Sequence, residues 1–180
     1  MTSTTAASRF TGGRGAIESP HGTYRYRLWR LRPSDILDES GRRVTFVMIN
    51  PSTAGAELDD PTLRRCCHFA EREGAGMLRV VNLYALRSTQ QAALQVHPDP
   101  VGPDNDRHVD EVLGATDLLI LGWGAGVAKA PRSAERIRTV LDIAFGNGLA
   151  THCLGVTKDG HPCHPLMLDN TAPLVRWEHP

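Results

Sequence analysis

The chain has 180 residues, enough for one domain with a proper core and too few for two comfortable ones. Hydrophobic residues make up 41% and charged residues 22%, and 20 Lys+Arg balance 20 Asp+Glu, so net charge selects no polyanionic partner. No secretory apolar region and no apolar run of membrane-spanning length occurs, which leads us to expect a cytoplasmic protein. Cys66, Cys67, Cys153 and Cys163 form no C-x-x-C pair and read as reduced, mostly buried thiols.

Residues 1–23 are rich in Ser, Thr, Gly and Arg, and their composition predicts a disordered N-terminal tail ahead of a single α/β domain over 24–180. Arginines crowd this first quarter, from Arg9 through Arg43. Their alternation suits a solvated strand better than a basic binding face. Tyr24-Arg25-Tyr26-Arg27-Leu28 has the period of a half-exposed strand. Pro33 to Gly41 supplies turn chemistry, and Val44-Thr45-Phe46-Val47-Met48-Ile49 reads as a strand covered on both faces. These two strands could pair as an antiparallel hairpin.

Asp60 is a candidate N-cap with Pro61 at the first helical position, and Leu63, Cys66, Cys67 and Ala70 keep helical spacing up to Gly74. A second buried strand covers residues 77–83. The proline-containing stretch 87–104 reads as irregular, with His97 and His108 at the surface. A helix over 106–114, a third strand over 117–124, a helix over 133–145 and a short strand over 150–155 complete the order. Strand and helix alternate, which predicts a three-layer αβα fold with a mainly parallel central sheet.

Ligands of open parallel sheets gather outside the carboxyl ends of the strands. Three strands end in unusual sequence: Asn50-Pro51-Ser52-Thr53 running to Gly55, Asn82-Leu83-Tyr84 running through Arg87 to Thr89, and Gly122-Trp123-Gly124 running to Gly126. A late loop adds His164-Pro165-Leu166. Exposed N–H groups of loops 52–55 and 122–126 could hold phosphate, Arg87 could add charge, and Tyr84 or Trp123 could stack on a base. Each also has a plainer reading: Asn-Pro initiates turns, and a Trp in an apolar strand is commonly core. His152, Cys153, His161, Cys163 and His164 lie close together but lack a paired ligand cluster, so no metal is expected there. A P-loop, a dinucleotide fingerprint and a G-x-S-x-G elbow are all missing.

Taken together, Met48-Ile49-Asn50-Pro51-Ser52-Thr53-Ala54, Asp59-Asp60-Pro61-Thr62, Val81-Asn82-Leu83-Tyr84-Ala85, Asp99-Pro100-Val101-Gly102 and His164-Pro165-Leu166 resemble the bacterial and phage family called domain of unknown function 1643. The order of the Asn50-Pro51 loop, the Asn82 to Arg87 segment, Leu121-Gly122 and His164-Pro165 is also similar, more distantly, to the uracil-DNA glycosylase superfamily. That second resemblance implies a uracil-DNA-glycosylase-like fold and an N-glycosidic hydrolase that removes a damaged or modified base from DNA without a cofactor. Asn50 and His164 would then be catalytic, Asn50 orienting a water and His164 donating to the departing base. Pro51, Ser52, Thr53, Asn82, Tyr84, Arg87, Gly122 and Trp123 would bind substrate, and a duplex would require base flipping. Ser52 stands where such enzymes usually have Gly, Leu166 where they have Ser or Ala, and no clear wedge residue follows. Two other readings share the cleft: a metal-dependent nucleotide hydrolase or transferase using Asp59 and Asp60, and a non-catalytic nucleic-acid or nucleotide-binding module.

Overall fold

A computed structural model describes residues 9–33 and 41–179. Seven strands form one sheet: β1 (Arg14–Glu18), β2 (Arg25–Leu31), β3 (Arg42–Met48), β4 (Ala75–Asn82), β5 (Leu118–Leu121), β6 (Thr151–Cys153) and β7 (Val175–Arg176). Their spatial order is β1-β2-β4-β3-β5-β6-β7. β4, β3, β5 and β6 run parallel at the centre, while β1–β2, β2–β4 and β6–β7 pair antiparallel. The sheet is therefore mixed, which corrects the expectation of a mainly parallel one. The hairpin β1–β2 adds to one side of the parallel core through β4, and the two-residue β7 adds to the other through β6.

Two further expectations change. The expected β2–β3 hairpin does not form, because β4 lies between those strands. The turn read at Pro33 to Gly41 lies largely outside the described residues. Within the segment assigned to a disordered tail, residues 14–18 form edge strand β1 and Phe10 is buried, so backbone pairing to β2 supplies the order that composition does not suggest. Residues 1–8 lie outside the described residues.

Helix α1 (Pro61–Arg72) starts as the sequence implies, with Asp60 Oδ1 accepting from Leu63 N at 2.8 Å. It covers one face of the sheet. α3 (Asn105–Leu113) and α4 (Ser133–Gly146) cover the other, and the short α2 (Ala92–Val96) interrupts the stretch read as irregular. Alternation along β3 divides the core. Val44, Phe46 and Met48 pack with Leu63, Cys66 and Phe69 of α1, whereas Val47 packs with Val109, Val140 and Leu141 of α3 and α4. His108, expected at the surface, is buried and stacks on Tyr26 at 4.8 Å. No helix of the described residues is long and apolar enough to cross a membrane.

The crowded arginines mostly bond the chain to itself, Arg25 and Arg30 from the interior and the others from the surface. Arg30 is fully buried and holds Asp59 through Nε and Nη2 at 2.9 and 2.6 Å. Arg14 donates to Glu57 O and Arg42 to Glu73 O, while Arg27 pairs with Glu111 and Arg43 with Asp117. Removing one member of a buried pair leaves the other without its partner. Arg30→Ala is therefore expected to lower the unfolding free energy by about 3–5 kcal/mol. Urea denaturation measures this, and a loss under 1 kcal/mol would show the pair to be dispensable.

Candidate functional site

The connection after β3 leads to α1 on one face, and that after β5 leads to α4 on the other. Such a switch opens a crevice at the carboxyl ends of the parallel strands. A cavity of about 180 Å³ lies there, small enough for a single ring rather than a drug-sized ligand. Asn50 and Ser52 follow β3, Asn82 ends β4, Thr62 and Cys66 belong to α1, and His164 closes one side.

Asn50 ties two loops together. Its Nδ2 donates to Pro51 O at 3.0 Å, Ser88 O at 2.9 Å and Leu86 O at 3.4 Å. Three carbonyls can face only the nitrogen, so the amide has a defined orientation and its Oδ1 is left free to accept. Ser88 N also donates to Pro51 O, binding the β3 and β4 loops a second time.

Asn82 lies on the cavity floor, 1% exposed, and neither its Oδ1 nor its Nδ2 has a partner among the described residues. Its backbone is fixed by Asn105 of α3, whose Nδ2 donates to Asn82 O and Leu83 O at 3.1 and 3.2 Å. Arg136 Nε donates to Leu83 O as well. An unpaired buried amide of this kind is costly unless a ligand or an ordered water completes it.

His164 precedes a 3-10 turn (Pro165–Met167), and its Nδ1 accepts from Leu166 N at 3.2 Å. A neutral ring accepting at Nδ1 carries its proton at Nε2. Burial holds the imidazole below its usual 6.5, opposed in part by the charge of Asp60. Arg65 of α1 pins the segment that follows by donating to Leu168 O, and Arg72 does the same at Ala172 O.

Glycines at the end of β5 admit this loop. Gly124 has φ +73°, and a Cβ there would lie 2.9 Å from His164 Cβ; a Cβ on Gly122 would meet Pro165 at 3.1 Å. Gly124→Ala therefore forces a strained backbone and displaces His164. We expect it to destabilise the fold by about 1–3 kcal/mol and to weaken any ligand bound in the cavity. Thermal melting beside ligand titration checks both, and an unchanged melting temperature would contradict this packing role.

Several residues expected at the site lie elsewhere. Trp123 is buried against Trp177, with ring centroids 5.7 Å apart, so it is core and not a stacking platform. Tyr84 is likewise buried, donates to Pro131 O at 2.7 Å, and burial pushes its hydroxyl up to about 12. Arg87 pairs with Glu18 at 2.7 Å and lines a neighbouring surface depression together with Thr53. Pro51 is buried and serves through its carbonyl, and Gly122 seats Pro165 instead of holding phosphate. Asp59 is taken by Arg30 and Asp60 caps α1, so the two carboxylates do not converge on a common point as the metal-dependent reading requires. Among the described residues no group of three or more His, Cys, Asp or Glu is placed to hold a metal.

Ser88 and Thr89, at the end of the segment read after β4, border the cavity, and so do three residues that the sequence did not single out: Arg25 and Leu28 of β2, and Gln91. Nothing in the local pattern marks Arg25 and Leu28, because β2 reaches the site only through its nonlocal pairing with β4.

The model of a family described as "Protein of unknown function (DUF1643)" matches residues 25–166, most of the chain. The chain belongs to that family. No curated protein and no solved structure matches it.

Proposed function

We propose that this chain is an N-glycosidic hydrolase that removes a damaged or modified base from DNA. The observation that carries the reading is the buried, unpaired amide of Asn82. An acceptor and a donor side by side complement the N–H and C=O edge of a lactam ring, such as that of an oxopyrimidine. Asn50, whose Oδ1 is free, and His164, which carries its proton at Nε2, line the same small cavity.

In this reading the C1′–N bond breaks and its electron pair leaves with the base. Asn50 Oδ1 holds a water beside the oxocarbenium-like sugar, and the water oxygen bonds to C1′. Asn50 takes no proton; the oxygen loses one to solvent after bonding, and the base gains one. His164 donates to the exocyclic carbonyl oxygen of the base, on which negative charge develops. Leu166 and Met167 are exposed two and three residues past His164, Met167 at 81%, and offer apolar contact to an unstacked strand. The cavity's position at the carboxyl ends of the parallel strands is the placement that the uracil-DNA-glycosylase-like resemblance implies.

The test is incubation with single- and double-stranded oligonucleotides carrying a panel of damaged and modified bases, followed by alkaline cleavage. Metal-independent abasic sites are the expected result. Intact strands throughout, where a control glycosylase acts, would overturn the reading, and tight binding without turnover would instead favour a non-catalytic module.

A further inference from the structure

The inference concerns Arg25 and rests on the reading of the cavity as a nucleobase site. β1 pairs Ile17 with Arg27 and Glu18 with Arg25, which skips Tyr26. In an uninterrupted strand Arg25 and Leu28 would point to opposite faces. With the extra residue both line the one cavity, while Tyr26 stacks on His108 on the opposite face. Bulges of this type re-aim side chains, and they are common beside active sites.

The guanidinium so placed is 4% exposed. Its Nη1 donates to Ala54 O at 2.5 Å, and its Nε has no partner among the described residues. The carboxylates around it are engaged elsewhere. Glu18 pairs with Arg87. Asp60 caps α1 through Oδ1, and its Oδ2 accepts from Ala54 N at 3.4 Å. The amide end of α1 offsets part of the Asp60 charge. Burial, reinforced by Arg87, pushes the Arg25 guanidinium down to about 10, so it remains a cation at neutral pH. A buried cation without an ion pair is expensive to maintain, and an anionic ligand group offsets that cost.

Strand order sets where that group lies. β2, β4, β3 and β5 are consecutive in the sheet, so Arg25 and the connection after β5, where Gly124 packs on His164, are three strand spacings apart. At about 4.8 Å per spacing this is roughly 14 Å between backbones. Asn82 on β4 and Asn50 after β3 lie between them. A flat ligand across these strand ends therefore meets Arg25 on the side away from His164.

We infer that Arg25 receives an acidic substituent of the bound ring, so that the cavity selects a nucleobase bearing a negatively charged group over its neutral parent. The simplest such ligand is a pyrimidine carrying a ring carboxylate, held by charge-assisted hydrogen bonds.

Isothermal titration of the full chain with uracil and with 5-carboxyuracil tests this. Wild type is expected to bind the acid about tenfold or more tighter. Arg25→Gln should level the two affinities, and Arg25→Lys should keep part of the preference. Should Arg25→Gln fail to melt cooperatively, the wild-type pair and Arg25→Lys decide the matter. Uracil binding as well as or better than the acid would overturn the inference and leave the nucleobase reading standing. If neither ring binds at millimolar concentration, the nucleobase reading falls and the inference with it.

Discussion

Replacing Asn50 with alanine is expected to slow base release about a hundredfold or more, because a water no longer held beside C1′ must be captured from bulk solvent. The variant should also melt several degrees lower. Asn50 Nδ2 bonds three backbone carbonyls across the β3 and β4 loops. Losing such bonds from a part-buried place costs about 1–3 kcal/mol. Stability and turnover are separated by Asn50→Asp. A carboxylate oxygen would face those carbonyls and repel them, whereas the protonated acid can donate to one. The folded-state pKa of the new Asp is thereby raised, so the variant should be least stable at alkaline pH and recover as pH falls. Melting curves at several pH values, read beside single-turnover rates, give both quantities. Wild-type turnover by Asn50→Ala would remove Asn50 from the chemistry.

His164→Ala is the second large effect. Removing one preorganised donor from a developing oxyanion costs about 10²–10³ in rate, and single-turnover kinetics would register it. Its pH dependence has a definite sign. The folded-state pKa of His164 lies below 6.5, so the neutral ring is favoured by folding. That contribution to stability is fully present above 6.5 and is lost as pH falls through the lower, folded-state value. Protonation also puts a hydrogen on Nδ1, which can then no longer accept from Leu166 N. Turnover should therefore hold on the alkaline side and drop with a midpoint below 6.5. A midpoint above 6.5 would contradict a neutral, half-buried imidazole.

Much of the scaffold was legible because its signals are local. The apolar run of β3, the Asp60-Pro61 start of α1 and the alternation of strands with helices all rest on residues adjacent in sequence. Asn50, Ser52, Asn82 and His164 could be placed on one sheet edge because each follows a strand or lies in a late loop. What escaped notice depends on nonlocal pairing. β1 is ordered by its bonds to β2, whereas the composition of residues 9–23 gives no such sign. Trp123 and Tyr84 sit next to site residues in the chain, yet their side chains turn toward the α3 and α4 side of the sheet. Arg25 reaches the cavity through an irregular register that alternating Tyr and Arg conceal.

The stapled arginines bear on how a nucleic acid would be held. Counterion release scales with the number of cations free to meet phosphates. Here Arg14, Arg42, Arg65 and Arg72 donate to the protein's own carbonyls, and Arg27, Arg30 and Arg43 are paired with carboxylates. Few guanidinium groups remain for a sugar-phosphate backbone. A plot of log affinity against log salt should accordingly be shallow, with binding strength coming from the base in its cavity more than from the strand around it.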